Sequence, residues 1–447
     1  MKSGILIQQS KYRSVLSPNL TVIDFCKFYN RWRVIKVKRG NMPDHVLKNR
    51  NFRFLWIATI ASASGLAIWN MIIEWLIFTT TRTALMLTLL GVVEFIPMLT
   101  IGIFAGAVVD RYSRKRLIIL SNFVRTGALA LLAFAILLIG FNLIAIFLAV
   151  LIISVSSSFF DPAAAALLPS FVKKENLMEG NGLLQSGQTL AGIIGNPLGG
   201  ILILVVGVAS GLIYDSITFA IAAIVMGMLV IPVSIQEMRQ PGEEIRKKLM
   251  EEVRAGFGFL LSRKALLTMT ITSMILNFFS FYQIYIVIYT LDILHSGSLV
   301  FGLLVGSAAI GYTVGAALTG RLHFEKRPGI WVPIFWALGG LPLIVLIILP
   351  ITQISIVSLF FEGFFGGMVN TIWITTIQRI VPDEYLGRCF AIEGTIGYSM
   401  IPAGILFGGI LITVYGISFA FILAGVSIFI IGLIMLTNRN IRVWGRN

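Results

Sequence analysis

The stretch "GAVVDRYSRKR", Gly106 to Arg116, packs four cations and one carboxylate into the seven residues from Asp110 onward. It stands between two long apolar runs, 85–109 and 117–139, in a chain of 447 residues of which only 12% are charged. Hydrophobic residues make up 57% of the chain and its mean hydropathy is +0.91. Soluble domains carry about 45–50% apolar and about 25% charged residues. A chain with half that charge cannot cover a water-facing surface, so much of this surface faces lipid.

Working outward from the cluster, twelve apolar runs are long enough to cross a hydrocarbon core of about 30 Å as helices of about 20 residues. They cover 52–78, 84–109, 117–139, 143–168, 182–206, 211–233, 265–291, 299–321, 330–349, 354–377, 387–414 and 417–437. Barrel strands are excluded, because they are about 10 residues long and alternate in polarity. The sequence predicts an all-α membrane protein. Its parts are a basic extension at 1–50, a six-helix bundle at 51–233, a central loop at 234–264, a second bundle at 265–437 and a tail at 438–447.

Charge sets the topology. The formal net charge is +15. The segment up to Arg53, the loops after spans 2, 4, 6, 8 and 10, and the tail together hold 33 of the 35 lysines and arginines. Of the other two, Arg82 follows the first span and Arg125 lies inside the third. Cationic loops stay in the cytoplasm, so both termini are expected there, in a cell-membrane protein. The positive charge then reads as topology and attraction to anionic lipid, not as nucleic-acid binding. No secretory signal peptide is visible, and Met42 offers a plausible alternative start, so residues 1–41 are not assumed to be translated.

Cys26 and Cys389 both fall on the cytoplasmic side, so no disulfide framework is indicated. His45, His295 and His323 are scattered among loops without metal-ligand spacing, and no metal or other cofactor is expected. In the central segment, Glu243–Lys247 and Glu244–Lys248 are spaced i,i+4 beside Leu249, Val253 and Phe257, which predicts an amphipathic helix at the membrane surface. The halves also echo each other. Pro197 and Pro402 each lie 15 residues after a glycine, Gly182 and Gly387, and glycine-rich runs follow both. Two six-helix halves related by an axis along the membrane normal are a known transporter architecture.

The opening stretch resembles the loop signature of the major facilitator superfamily. Gly106, Asp110, Arg111, Arg114, Lys115 and Arg116 match, and Ser113 stands where the family has a second glycine. The stretches "FFDPAAAALLPSFVKKENLMEGNGLLQS" (159–186) and "RIVPDEYLGRCF" (379–390) look like one branch, the drug:proton antiporters that include macrolide-efflux proteins and an enterobactin exporter. The fifth span resembles that branch's antiporter motif through Gly192, Pro197 and Gly200, with Asn196 in place of a glycine. The resemblance covers about residues 45–437. It implies a gate in which the cation cluster latches the halves, with Asp161 the candidate partner of Arg114, and a fifth span that bends and packs tightly.

Ionisable groups inside a membrane are costly and functional by default. Glu74, Glu94, Arg125, Glu362 and Glu393 fall within predicted spans. Glu94 lies roughly 24 Å from Asp110 at a rise of about 1.5 Å per residue. Glu74 and Glu362 are the leading proton-coupling candidates. Glu94 is third, since the resemblance implies that the second span flanks a central cavity. Glu393, near the cytoplasmic end, is expected to form a structural salt bridge, and Arg125 to pair with an acid or a backbone carbonyl. Asp215 and Asp292 are expected near the outer surface, solvated. Trp69, Trp75, Phe278, Phe281, Tyr282, Tyr285, Trp373 and Tyr398 are candidates to line an apolar cavity.

These features predict a monomeric secondary transporter, not an enzyme, that exports a hydrophobic small molecule in exchange for protons. No nucleotide-binding loop of the G-x-x-x-x-G-K-[ST] type is present. Uptake or symport of a metabolite, and a membrane receptor or enzyme without transport, are the alternatives.

Overall fold

The computed structural model describes residues 46–101, 105, 108–109, 112–172, 176–230, 258, 260–322, 324, 327–381 and 383–442. The basic extension, Gly106, Asp110, Arg111 and the expected amphipathic helix of the central loop lie outside the described residues.

The first helix, α1 (Arg50–Thr81), starts where the Asn49 side chain accepts from the backbone N–H groups of Asn51 and Phe52. This satisfies two of the donors that every helix start leaves unpaired. It ends at Arg82, whose left-handed backbone turns the chain straight into α2 (Ala84–Thr100). Next come α3 (Arg114–Ile139) and α4 (Leu143–Leu167). The run Leu177–Gly227 is far too long for one crossing, and it turns at Gly207 (φ 78°) into two limbs, α5 (177–206) and α6 (208–227).

The second half opens with α7 (Lys264–Phe278), which continues through a 3-10 stretch (Phe279–Tyr285), a single turn (Ile286–Ile288) and a π turn (Tyr289–Ile293). It is followed by α8 (Ser298–Leu322), α9 (Pro328–Ile348) and α10 (Thr352–Ile380). The next span breaks into α11a (Asp383–Tyr398) and α11b (Ile401–Tyr415), and α12 (Ile417–Thr437) is the last. Among the described residues ten helices are long and apolar enough to cross a membrane, one of them being the doubled run through Gly207, and α2 is a shorter apolar helix. Crossings thus come to twelve, as the charge alternation requires.

Among the described residues those with positive φ are confined to one end. Arg82, Gly140, Gly207, His295 and Gly416 all sit in turns opposite the cationic loops. Left-handed backbone reverses the chain within one or two residues, which keeps these turns short. Leu131, Leu138, Ile144 and Val205 are each more than 70% exposed, an apolar girdle fit for lipid.

Helices α8 and α10 approach through paired small residues. A Cβ at Gly311 or Gly315 would strike the Phe360 or Phe364 carbonyl, and one at Gly363 or Gly367 would strike those of Ala308 or Tyr312. Glycines four apart on both helices let the backbones touch, a packing mode that needs no hydrophobic driving force. One buried core joins both halves at the cation-poor end, through Ile68 and Leu87 of the first half and Tyr285, Phe301 and Phe421 of the second. Toward the cation-rich end the core divides, with Phe52, Ile118 and Phe160 in one cluster and Met269, Ile372 and Trp373 in another.

Candidate functional site

Where the core divides, a cavity of about 880 Å³ opens between the halves. Glu74 of α1 and Glu94 of α2 line it from the first half, and Glu362 of α10 from the second. All three residues are half-buried and line the cavity. Glu74 and Glu94 face the cavity from consecutive helices of the same half. Glu94 therefore lines the cavity beside Glu74, where the sequence reading placed its helix on the flank.

The non-α backbone of α7 supplies the opposite wall. In a 3-10 helix, side chains at i and i+3 eclipse, so Tyr282 and Tyr285 project from one face. Tyr282 donates to Glu362 Oε1 at 2.5 Å. One turn on, the Tyr285 hydroxyl lies 2.7 Å from Thr88 Oγ1 and donates to the Ile405 carbonyl at 2.8 Å. Asn370 donates to the Tyr312 hydroxyl at 2.6 Å across the α8–α10 contact. Of the aromatic candidates, Phe281, Tyr282 and Tyr398 line the cavity, joined by Phe95, Phe301 and Tyr312. Trp69 and Trp373 are instead core residues, and Trp75 stacks on Phe301 at 6.2 Å.

A second cavity of about 890 Å³ continues toward the cation-rich end, and Gln188 belongs to the wall of both. Asp161, Asn181, Gly182 and Gln185 are exposed around it, and Ile374 and Gln378 face them from the other half. The cation-poor end is shut. Ser298 donates to the Gly200 carbonyl at 3.0 Å, and a Cβ at Gly302 would lie 2.8 Å from the Asn196 carbonyl and 3.0 Å from Pro197 Cα. The motif residues of α5 thus divide their surroundings. Gly192 and Asn196 line the cavity, while Pro197 and Gly200 pack on α8.

Two described cations of the opening stretch, Arg114 and Lys115, have partners in their own half. Arg114 donates to the Ala166 carbonyl at 2.6 Å, and Lys115 to the carbonyls of Gly227 and Leu229 at 2.7 Å. These are carbonyls at the ends of α4 and α6, left without intrahelical donors and favourable to cations. Arg114 makes no ion pair with Asp161, contrary to the expected pairing. Arg116 is exposed.

Arg125, wholly buried, also differs from expectation. Its guanidinium donates to Ser62 and Ser157 at 2.9 Å, with Asn122 Oδ1 at 3.4 Å, and lies over the rings of Phe160 and Phe219 at 4.8 and 5.4 Å. Hydroxyls and ring faces take the place of a bonded acid or carbonyl, and Asp161 is the acid whose charge acts on it. Asp215, expected in water, is wholly buried. Thr218 donates to its Oδ1 at 3.2 Å, and its Oδ2 has no hydrogen-bond partner. Asp292 is exposed, as expected, and pairs with Arg82 at 3.7 Å. Glu393 is half-buried beyond the middle of α11a, toward the break after Tyr398, interacts with Trp373 and makes no ion pair among the described residues.

Two six-helix halves around a mainly apolar cavity that carries three carboxyls, sealed at one end and open at the other, define a membrane transporter. The chain belongs to the Major Facilitator Superfamily, whose model matches residues 55–405. It is 25% identical to an enterobactin exporter of Citrobacter koseri over 75% of this chain and 79% of that one. It is 22% identical to macrolide efflux protein A of Streptococcus pyogenes over 86% and 94%. The fold superimposes with a TM-score of 0.68 on a bacterial homologue of the human lysosomal transporter Spinster in an inward-facing, unoccupied conformation. That match has 12% identity and covers 91% of this chain and 98% of the other. The chain is thus a multi-pass membrane transporter and not an enzyme.

Proposed function

We propose that this transporter exports a hydrophobic small molecule, of drug, macrolide or siderophore-like size, from the cytoplasm across the cell membrane in exchange for protons. The observation that carries the reading is the gathering of Glu74, Glu94 and Glu362 in one cavity with one open mouth. A carboxyl there exchanges protons with whichever side the cavity faces. Alternation of the two ends then turns a proton gradient into substrate movement. The exporters among the relatives support the outward direction.

In this reading both termini and the open mouth are cytoplasmic, the protein works as a monomer, and residues 51–233 and 265–437 rock about the cavity. The charge cluster at Gly106, Asp110, Arg111, Arg114, Lys115 and Arg116, with Asp161 of the same half, gates the cytoplasmic end when it closes onto the other half. Pro197 and Gly200 form the seam that parts when the outer end opens.

The test is flux in proteoliposomes under an imposed pH gradient. Candidate compounds come from a deletion strain screened for loss of resistance. Glu74→Gln or Glu362→Gln is expected to abolish proton-driven flux and retain energy-independent exchange, because glutamine keeps the hydrogen bonding but releases no proton. Unchanged gradient-driven flux in both, and in Glu94→Gln, rejects proton coupling at this cavity.

A further inference from the structure

Glu393 is a further carboxyl within a span, and the cavity does not account for it. It lies on α11a, is half-buried and makes no ion pair among the described residues. Its surroundings are set by a glycine one turn on. Gly397 has no side chain, and the point where its Cβ would stand is 3.6 Å from Ser273 Oγ, 3.7 Å from Glu393 Oε1 and 3.9 Å from Asn277 Nδ2. These are the nearest atoms to that point beyond the glycine's chain neighbours and helix backbone. Ser273 and Asn277 are one turn apart on α7, so two helices aim three polar groups at one spot. The spot has room for one water, and a buried water needs about two to four polar partners. Here a carboxylate accepts, a hydroxyl does either, and an amide N–H donates. The Asn277 amide also donates to the Gly397 carbonyl at 2.9 Å. It therefore turns its nitrogen, not its oxygen, toward the spot. That suits water and not a metal ion, which takes oxygen ligands.

The spot also has a place in the fold. Helix α7 leaves α geometry after Phe278, and α11a ends at Tyr398. Pro402 has no N–H to offer the Tyr398 carbonyl, which accounts for the second break. The Asn277–Gly397 bond thus ties the two helices together where each is interrupted. Asn277 and Tyr398 stand in the cavity wall, whereas Ser273 and Glu393, a turn nearer the cation-rich end, lie behind it. In the helices packed on α11a, the titratable groups are Lys264 of α7 and Glu362 and Arg379 of α10. Lys264 is roughly 14 Å along α7 from Ser273, at about 1.5 Å per residue. On α11a itself the other described ones are Cys389 and Tyr398.

We propose that Glu393 exchanges a proton through a water seated at Gly397 between Ser273 and Asn277, and that this exchange sets the joint between α7 and α11. The proton passes from cavity water to the seated water and on to Glu393 Oε1, and returns the same way. An ionised Glu393 holds the seated water, and through it Ser273 and Asn277. A neutral Glu393 holds them less and frees the joint to bend. This deepens the proton-driven reading and rests on it for the link to transport alone.

The test uses the full chain in lipid vesicles with the cavity carboxyls removed as Glu74→Gln/Glu94→Gln/Glu362→Gln. Protonation is read as the infrared stretch of the protonated carboxyl while the pH is varied. We expect one carboxyl still to lose its band as the pH rises, and Glu393→Gln to abolish that change. Gly397→Ala fills the seat with a methyl group in ordinary contact distance, and should move the midpoint by about one pH unit or more. The joint is read with Asn70→Cys, in a chain without Cys26 that keeps the buried Cys389 of α11a. The ratio of its labelling rates from the two sides cancels the titration of the thiol. That ratio should change with pH at least about fivefold, and should stop doing so in both Glu393→Gln and Gly397→Ala. Glu393→Asp, which keeps a carboxyl, retains the change and excludes misfolding as the cause.

A carboxyl band that Glu393→Gln leaves unchanged, a labelling ratio that follows pH equally without Glu393, or a Gly397→Ala chain that behaves as its parent overturns the inference. Flux of the wild-type chain separates it from the functional reading. A titrating Glu393 in a transporter whose flux ignores the pH gradient leaves the site standing and removes proton drive. Gradient-driven flux with a Glu393 that does not titrate does the reverse.

Discussion

The two ends of the molecule are held by different chemistry. At the cation-poor end the halves touch through small residues and neutral hydrogen bonds: Gly302 under Asn196 and Pro197, Ser298 on the Gly200 carbonyl, and Thr88 beside the Tyr285 hydroxyl. At the cation-rich end Arg114 and Lys115 bond to carbonyls of their own half, and the cavity mouth lies open beside them. Charge therefore dominates the open end and packing the closed one. Packing contacts are short-ranged and all-or-none, which suits a seal. Cations on carbonyl oxygens are satisfied within one half, so they keep their shape whether or not the other half is near.

The largest expected effect comes from breaking the seam. Gly302→Leu puts a side chain where even a Cβ would lie 2.8 Å from a backbone carbonyl. Overpacking of this kind costs about 1–3 kcal/mol, which shifts a two-state equilibrium about 5- to 150-fold. In a chain without Cys26 and Cys389, a cysteine replacing Asn70, which lines the cavity, reports the shift. Membrane-impermeant thiol reagents should reach it from the cation-poor side far faster in Gly302→Leu than in the parent. Unchanged labelling means that the seam does not seal that end.

An intermediate effect is expected at the other end. Arg114→Ala removes a charged donor from the Ala166 carbonyl. A hydrogen bond to a charged group is worth about 1.5–3 kcal/mol when buried, and less at this half-exposed position. Arg114→Ala and Lys115→Ala together should cost roughly 1–2 kcal/mol, read in the thermal unfolding of purified protein. Asn70→Cys should remain accessible from the cation-rich side, because the lost bonds lie within one half. Loss of that accessibility would show that the cations prop the mouth open, and the contrast between the ends would fail.

Much of this contrast is legible in the sequence, but not all. Twelve crossings follow from apolar length, and the contrast in charge between the two ends follows from the alternation of cationic loops. Glu74, Glu94 and Glu362 are conspicuous as acids in apolar runs. What the sequence hides is which way a side chain faces. A helix that is apolar all round has no polar face to mark its buried side, so Asp215 reads as solvated at the end of a span and turns out to be buried against α1, with Thr218 and Phe219 of its own helix at Gly65. Likewise Ser62, Asn122 and Ser157 lie on three helices and gather around Arg125 only through tertiary packing. The break in α7 has no proline or glycine to announce it. It sets Tyr282 on Glu362 and Tyr285 beside Thr88 from one face.

The smallest effect concerns the charged contact that the described residues make at the closed end. Arg82 ends α1, and Asp292 lies in the π turn of α7, so their 3.7 Å pair joins the two halves. Position alone would make it a latch. Its side chains, however, are 59% and 48% exposed. An exposed pair gains little in water, loses side-chain entropy and contributes about 0–1 kcal/mol. Salt weakens it further, since the screening length falls to about 3 Å at 1 M. A double-mutant cycle of Arg82→Ala and Asp292→Ala, read by Asn70→Cys labelling from the cation-poor side, should give a coupling below about 1 kcal/mol that vanishes in 1 M salt. A coupling above about 2 kcal/mol that survives high salt would place a charged latch at the end assigned here to packing, and the difference between the two ends would then be one of degree.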